Sequence, residues 1–238
     1  MRLRLFVVRF FHWLLWFLGG RLHVTGIENL PKSGGYLIVT NHMSIADSPV
    51  VLIALPPRQI THFWIADKWK TLPVFGYWAS QLGGIFINRD IVDRRAIREA
   101  VNLLRDGEIV GLAPEATRSP IKQMIKPRNG AAYLAKQADI PIVPVALIGT
   151  ESLFENFLRF KRTRVEVRIG QPFQRPPVEG RFRQRHLEAL TSYIMLKVAD
   201  LLPERYYGYY ELVRHPGLEA MRKQEDVWAA CLAYEEVS

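Results

Sequence analysis

The stretch Tyr36-Leu37-Ile38-Val39-Thr40-Asn41-His42-Met43-Ser44-Ile45-Ala46-Asp47-Ser48-Pro49 decides how this chain is read. Its first five residues are an apolar, β-branched run of the length of one buried strand. Ser48-Pro49 reads as a helix N-cap followed by proline at the first helical position, where a missing N–H is harmless. His42 and Asp47 lie between, five residues apart. On one continuous α-helix that step turns roughly 500°, which leaves the two side chains about 140° apart. They can meet only if His42 sits in a loop and Asp47, at the start of the helix, turns back toward it. An imidazole oriented by a carboxylate can take a proton from an alcohol near neutral pH, which either group alone does poorly. A second reading stays open on these residues alone. Ser44-Ile45-Ala46-Asp47 is then a capping box, Asp47 bonds backbone, and His42 is an ordinary loop residue.

The same strand-then-helix grammar continues on both sides. Strands are expected near 36–40, 61–66, 84–88, 108–113, 142–148 and 163–169, and helices near 49–55, 73–82, 92–106 and 129–138. The helix near 92–106 is the clearest, with Ile97, Val101 and Leu104 at helical spacing and Gly107 as its stop. Such alternation predicts an α/β fold, a mostly parallel sheet covered by helices on both faces. It sets Asn41 and His42 just past one strand, Arg89 just past another and Glu115 to Arg118 just past a third. Ligands of open α/β sheets collect beyond the carboxyl ends of the strands, so these segments are expected to converge on one cleft.

At 238 residues, 49% apolar and without repeats or low-complexity runs, the chain is expected to form one main domain with terminal appendages. Its single cysteine, Cys231, excludes an internal disulfide, and no cysteine-rich metal cluster is indicated. A reducing compartment fits best. A net charge of +9, from 32 Lys and Arg against 23 Asp and Glu, points to anionic partners. No helix-turn-helix spacing, zinc-ligand pattern or RNP-type aromatic strand is present, so nucleic acid gains no support.

The positive charge is unevenly placed. Arg2, Arg4, Arg9 and Arg21 precede the first carboxylate, Glu28, and surround an apolar run from Leu5 to Leu18 that carries Trp13 and Trp16. That composition suits an anionic membrane surface. The run is broken by Arg9 and His12 and falls short of the roughly 20 residues a span needs. An amphipathic helix over 1–24, lying in the interface or packed on the domain, is therefore expected. A signal peptide lacks a small-x-small cleavage site here. A second basic region, Arg159 to Arg185, holds nine Lys or Arg against Glu166 and Glu179, and is either a solvated strand face or a further attraction to anionic headgroups. The remaining division is 25–210 for the main domain and 211–238 for a C-terminal helical extension.

Four segments together carry a family resemblance. Asn41-His42 to Asp47 matches an N-H-x-x-x-x-D block, and Gly83-Gly84-Ile85-Phe86-Ile87-Asn88-Arg89 a second. Ala113-Pro114-Glu115-Ala116-Thr117-Arg118-Ser119 and Ile140-Pro141-Ile142-Val143-Pro144-Val145-Ala146 match a third and fourth, in the same order. The chain thus resembles, over about residues 25–210, the glycerolipid acyltransferases typified by lysophosphatidic acid acyltransferases. The resemblance implies an α/β core and transfer of a fatty acyl group, from acyl-CoA or acyl carrier protein, to the hydroxyl of lysophosphatidic acid, giving phosphatidic acid. It implies His42 as general base and Asp47 as its orienting carboxylate. Asn41, Arg89, Glu115, Thr117 and Arg118 would bind substrate, with no metal or prosthetic cofactor, at the cytoplasmic side of a membrane. The absence of a G-x-S-x-G elbow favours direct transfer over an acyl-enzyme, and Ser44, two residues from His42, better satisfies backbone donors.

The third block departs from the family's F-P-E-G-T-R-S by Ala113 and Ala116. Ala116 is expected to resist the positive φ that glycine accepts, reshaping the loop and leaving the acceptor open to another lysophospholipid or lipid alcohol. Two other readings differ in class: a thioester hydrolase, in which His42 activates water, and a membrane-binding domain without activity.

Overall fold

The computed structural model describes residues 2–56, 61–89 and 91–237. In chain order the first half contains α1 (Arg2–Phe17), β1 (Gly20–Thr25), β2 (Tyr36–Thr40), α2 (Asp47–Ala54), β3 (Thr61–Ala66), α3 (Pro73–Gln81), β4 (Ile85–Ile87), α4 (Arg94–Arg105) and β5 (Ile109–Leu112). The second half contains α5 (Gly130–Ala138), β6 (Ile142–Ile148), α6 (Leu153–Leu158), β7 (Thr163–Ile169), α7 (Gln184–Ala199), α8 (Tyr209–Leu212), α9 (Pro216–Lys223) and α10 (Val227–Val237). Seven strands form one sheet in the order β1-β7-β6-β2-β5-β3-β4, parallel throughout except where β7 runs antiparallel to β6.

The centre of the sheet follows from strand chemistry. All five residues of β2 and all seven of β6 are buried, as near-continuous apolar runs require when both faces are covered. Side-chain alternation then splits β2 between two layers. Tyr36 and Ile38 pack with Leu15 of α1 and Val50 and Val51 of α2; Leu37 and Val39 face Ala100 and Leu104 of α4, Leu134 of α5 and Ile194 of α7. β7 is half-covered and alternates accordingly, with Thr163, Val165, Val167 and Ile169 inward and Arg164 exposed. Glu166, between Arg164 and Arg168, pairs with both.

Several boundaries differ from expectation for local reasons. The N-terminal helix ends at Phe17, not residue 24, because Gly19 takes φ +72° and releases Gly20–Thr25 into a strand parallel to β7. A Cβ on Gly20 would lie 2.4 Å from Leu15 Cδ1, so this crossing needs glycine. α2 starts at Asp47, and Pro49 sits in its first turn, where helix N–H groups lack intrahelical partners anyway. Residues 153–158 and 184–199, unassigned from sequence, are α6 and α7. Residues past 210 are built into the core, for Leu218 and Cys231 are buried in the cluster that contains Leu37 and Val39. Cys231 is thus a packed thiol. Among the described residues no helix is long and apolar enough to cross a membrane.

Behind β6, Gly149 turns the chain at φ +84°, and a Cβ there would fall 2.3 Å from the Arg164 carbonyl. Left-handed backbone already costs an L-residue about 1–2 kcal/mol. Gly149→Ala is expected to lower unfolding stability by about 2 kcal/mol or more, measured by urea titration; an unchanged midpoint would show that this turn relaxes freely.

Candidate active site

The loop after β2 is folded around one carboxylate. Asp47 Oδ2 accepts from the backbone N–H of Met43 at 2.7 Å, from that of Ser44 at 2.8 Å, and from His42 Nδ1 at 2.8 Å. Its other oxygen, Oδ1, accepts from the Thr150 hydroxyl at 2.6 Å. Ser44 Oγ accepts from the Ala46 N–H, while the Asp47 N–H goes to the Ser44 carbonyl, so the reciprocal capping box does not form. What remains of that reading is that Asp47 binds loop backbone, and the same carboxylate holds the imidazole. Asp47 and Thr150 are buried and His42 keeps a partly open edge. With Nδ1–H pointed at Asp47, Nε2 is the ring nitrogen left with a free lone pair.

Asn41 and Glu115 brace this loop from below. Asn41, fully buried, donates from Nδ2 to the Leu147 carbonyl at 2.9 Å and accepts from the Leu147 N–H at 2.8 Å, tying the end of β2 to β6. Glu115 accepts from the His42 N–H through Oε1 and from the Ile125 N–H through Oε2, both at 2.9 Å. Ser119 N–H returns a bond to the His42 carbonyl. Neither Asn41 nor Glu115 is among the residues that line the cavity, and their buried polar atoms are paired with the backbone of the loops they hold.

The remaining candidates face the cavity. Arg89, half-buried, donates from Nη1 to the Ala116 carbonyl, while Thr117 and Arg118 are exposed at its rim. Burial holds the Arg89 guanidinium below its usual range, with Arg128 and Arg118 adding positive charge nearby and Asp67 opposing them. Ala116 adopts the left-handed conformation after all, at φ +58°, so the loop keeps the turn that glycine would give and is not reshaped at this residue. Sequence reading missed Thr150 and Arg128. Arg128 Nη1 donates to the Arg89 carbonyl and its own N–H bonds Pro114, so it joins the other two arginines at the cavity wall. Thr150 follows β6, beside β2 in the sheet, and only that strand order brings it to Asp47.

The cavity, about 1410 Å3, runs past the carboxyl ends of the central strands. One limb is apolar, walled by Phe11 and Leu14 of α1, Leu18 just past it, Val50 and Ile53 of α2, and Leu153. The opposite limb, toward α4 and α5, is cationic. His42 and Asp47 stand where the limbs join.

A doubly covered, mostly parallel α/β sheet with an imidazole–carboxylate pair at its carboxyl edge defines the class: a group-transfer or hydrolytic enzyme fold. The chain belongs to the acyltransferase family, whose profile matches residues 21–148. A 1-acyl-sn-glycerol-3-phosphate acyltransferase of Bacillus subtilis is 26% identical over 184 residues, 77% of this chain and 89% of that protein. The alpha form from Bos taurus is 31% identical over 166 residues, 68% of this chain but 56% of its own length. A crystal structure of the 1-acyl-sn-glycerophosphate (LPA) acyltransferase of Thermotoga maritima superposes with a TM-score of 0.62 at 25% identity, covering 84% of this chain and 78% of that one.

Burial pushes the Glu115 carboxyl up to about 8 from an ordinary 4.5, against the lowering effect of the Ile125 and His42 N–H groups. A folded-state value above the unfolded one means that the folded chain binds more protons between the two, so stability falls as pH rises from 4.5 to about 8. Glu115→Gln is expected to remove that slope: the wild-type unfolding midpoint should decline relative to the variant's across this interval. Parallel pH profiles would show that Glu115 titrates normally.

Proposed function

We propose that the chain transfers a fatty acyl group from a thioester to the free hydroxyl of lysophosphatidic acid, giving phosphatidic acid. The observation that carries this reading is the His42–Asp47 pair at the junction of an apolar and a cationic limb. His42 Nε2 takes the hydroxyl proton as the oxygen attacks the thioester carbonyl carbon. The C–S bond then breaks, and the imidazolium returns the proton to the departing sulfur. Asp47 fixes the tautomer and stabilises the imidazolium. Arg89, Arg118 and Arg128 offer planar forks to the acceptor phosphate, with Thr117 at the same rim, and the apolar limb receives an acyl chain. Asn41, Glu115 and Thr150 position the loop without touching substrate. The names of the relatives, all acylglycerophosphate acyltransferases, support this acceptor.

The same reading places the protein on an anionic membrane at its cytoplasmic side, attached without a span. Phe10, Trp13 and Phe17 are exposed along α1, with Trp13 and Phe17 stacked at 5.5 Å. Phe17 meets Phe157 of α6 at 5.7 Å, which extends the apolar surface to the turn before β7. There Leu158 is 76% exposed and Phe160 fully exposed, flanked by Arg159 and Lys161. An apolar face of this size with a cationic rim suits a headgroup boundary.

Two measurements test these statements. His42→Ala should lower acyl transfer to lysophosphatidic acid by at least about 10²-fold while vesicle binding holds, followed as thiol release with and without acceptor. Undiminished turnover removes His42 as base, and thiol release indifferent to acceptor makes the chain a hydrolase. Leu158→Ser with Phe160→Ser should weaken sedimentation with anionic vesicles by at least about a hundredfold, at about 1.5–3 kcal/mol for each large side chain withdrawn; equal sedimentation would exclude this turn from the contact.

A further inference from the structure

Past the four sequence blocks, residues 205–210 lie against both loops that hold the dyad. The first contact is through the main chain. The Tyr206 carbonyl accepts from the Met124 N–H and the Met124 carbonyl accepts from the Tyr209 N–H, both at 2.8 Å. Gln123 Nε2 adds a bond to the Arg205 carbonyl at 2.9 Å. The approach is so close that a Cβ on Gly208 would fall 2.4 Å from the Met124 carbonyl oxygen. Met124, fully buried, is followed by Ile125, whose N–H holds Glu115, and Glu115 in turn holds the His42 N–H.

The second contact is through the side chain. Tyr206 is 2% exposed, and its hydroxyl donates to Glu151 Oε1 at 2.7 Å. Glu151 is the neighbour of Thr150 in a single 3-10 turn, Thr150–Ser152, and the Thr150 hydroxyl reaches Asp47 Oδ1. Glu151 Oε2 has no hydrogen-bond partner among the described residues, so the tyrosine is what ties this side chain down. Burial raises the Tyr206 hydroxyl above its ordinary value, which keeps it protonated and donating. The Arg205 guanidinium lies 4.9 Å from the centre of the Tyr206 ring, a contact that a phenylalanine would keep. Ring volume alone therefore calls for no tyrosine here; the hydroxyl adds the bond to the turn.

We propose that Tyr206 is a positioning residue for acyl transfer. Its hydroxyl, through Glu151, fixes the turn that aims the Thr150 hydroxyl at Asp47, and so sets the carboxylate that orients the His42 imidazole. The inference rests on the acyl-transfer reading and adds to it a residue that touches no substrate. Misplacing a reacting group by 1 Å lowers turnover by about 10²-fold, so a fraction of that displacement is measurable.

Tyr206→Phe keeps the ring and both main-chain bonds and removes the hydroxyl alone. It should lower kcat by about tenfold and leave KM for lysophosphatidic acid unchanged. Nitrogen chemical shifts of the His42 ring, read by NMR at alkaline pH and assigned against His42→Ala, should move from a fixed Nδ1–H tautomer toward a mixture of the two. Glu151→Ala should cause the same loss, and the double variant no further loss. Glu151→Gln, which keeps an acceptor oxygen for the tyrosine, should stay near the wild type. Tyr207→Phe should change neither quantity, since that hydroxyl makes no hydrogen bond among the described residues. A hydroxyl that served stability alone would lower the unfolding midpoint and leave kcat and the tautomer as they are. Unchanged kcat in Tyr206→Phe, a loss carried by KM, full additivity with Glu151→Ala, or a fall in kcat with wild-type His42 shifts would each overturn the proposal. If the wild type acylates no lysophospholipid but Tyr206→Phe still shifts the tautomer, the acyl-transfer reading fails and the brace stands.

Discussion

A single buried carboxylate organises the edge of the sheet where the chain can do chemistry. Asp47 accepts two backbone N–H groups, a hydroxyl and an imidazole, so the charge that burial would penalise is surrounded by donors. Each donor comes from a different part of the design. Met43 and Ser44 shape the loop, Thr150 arrives from the end of β6, and His42 is the group to be oriented. Because the N–H groups of Met43 and Ser44 share one Asp47 oxygen with the imidazole, the loop that leads into α2 cannot close around that carboxylate and leave His42 adrift. Local folding and site assembly are one event.

The third-block loop locks onto the first from the other side. His42 donates its N–H to Glu115 and accepts from the Ser119 N–H through its carbonyl, so the backbone of the base is clamped both ways. Arg89 then fastens the third block from the second through the Ala116 carbonyl. This use of the carbonyl explains why the left-handed turn persists at Ala116 without glycine. Reversing that peptide would take the acceptor away from a half-buried guanidinium, a loss comparable with the roughly 1–2 kcal/mol of left-handed strain. Of the three arginines at this wall, only Arg118 keeps a fork unengaged by backbone among the described residues. Arg89 and Arg128 each divide their donors between the loops and the cavity.

The sequence made much of this legible, and its gaps have physical causes. β2, β5 and β6 were readable because a strand covered on both faces must be apolar at every position. β1 was hidden because it lies at an edge and alternates, as Arg21-Leu22-His23-Val24, behind a helix whose apolar run leads directly into it. α7 escaped because its 16 residues mix His186, Glu188 and Lys197 with core positions, and only tertiary packing separates them. At the site, residue types pointed correctly to the place but not to the job. A glutamate in the third block can bind a ligand or a backbone N–H with equal chemistry, and only burial decides. Asn41 posed the same ambiguity. Thr150 was beyond sequence reading, since its partner is 103 positions away and is reached through strand order alone.

The placement of the dyad at a crossing between the two helical layers has a consequence for chemistry. The layer with α1 and α2 presents apolar side chains to the cavity, and the layer with α4 and α5 presents guanidinium groups; β2 and β5 separate them everywhere except beyond their carboxyl ends. A molecule with an oily tail and a charged head can therefore lie across the edge of the sheet in one sense only, with its central functional group beside His42. Polarity sorts the ligand before any specific hydrogen bond forms, which supplies part of the orientation that acyl transfer requires. The exposed aromatic face of α1 continues the apolar layer outward, so the limb that takes a chain is the one nearest the surface proposed to meet lipid. Turning α1 over, or exchanging the two layers, would present the charged limb to the bilayer and leave the reacting hydroxyl without a path to the base.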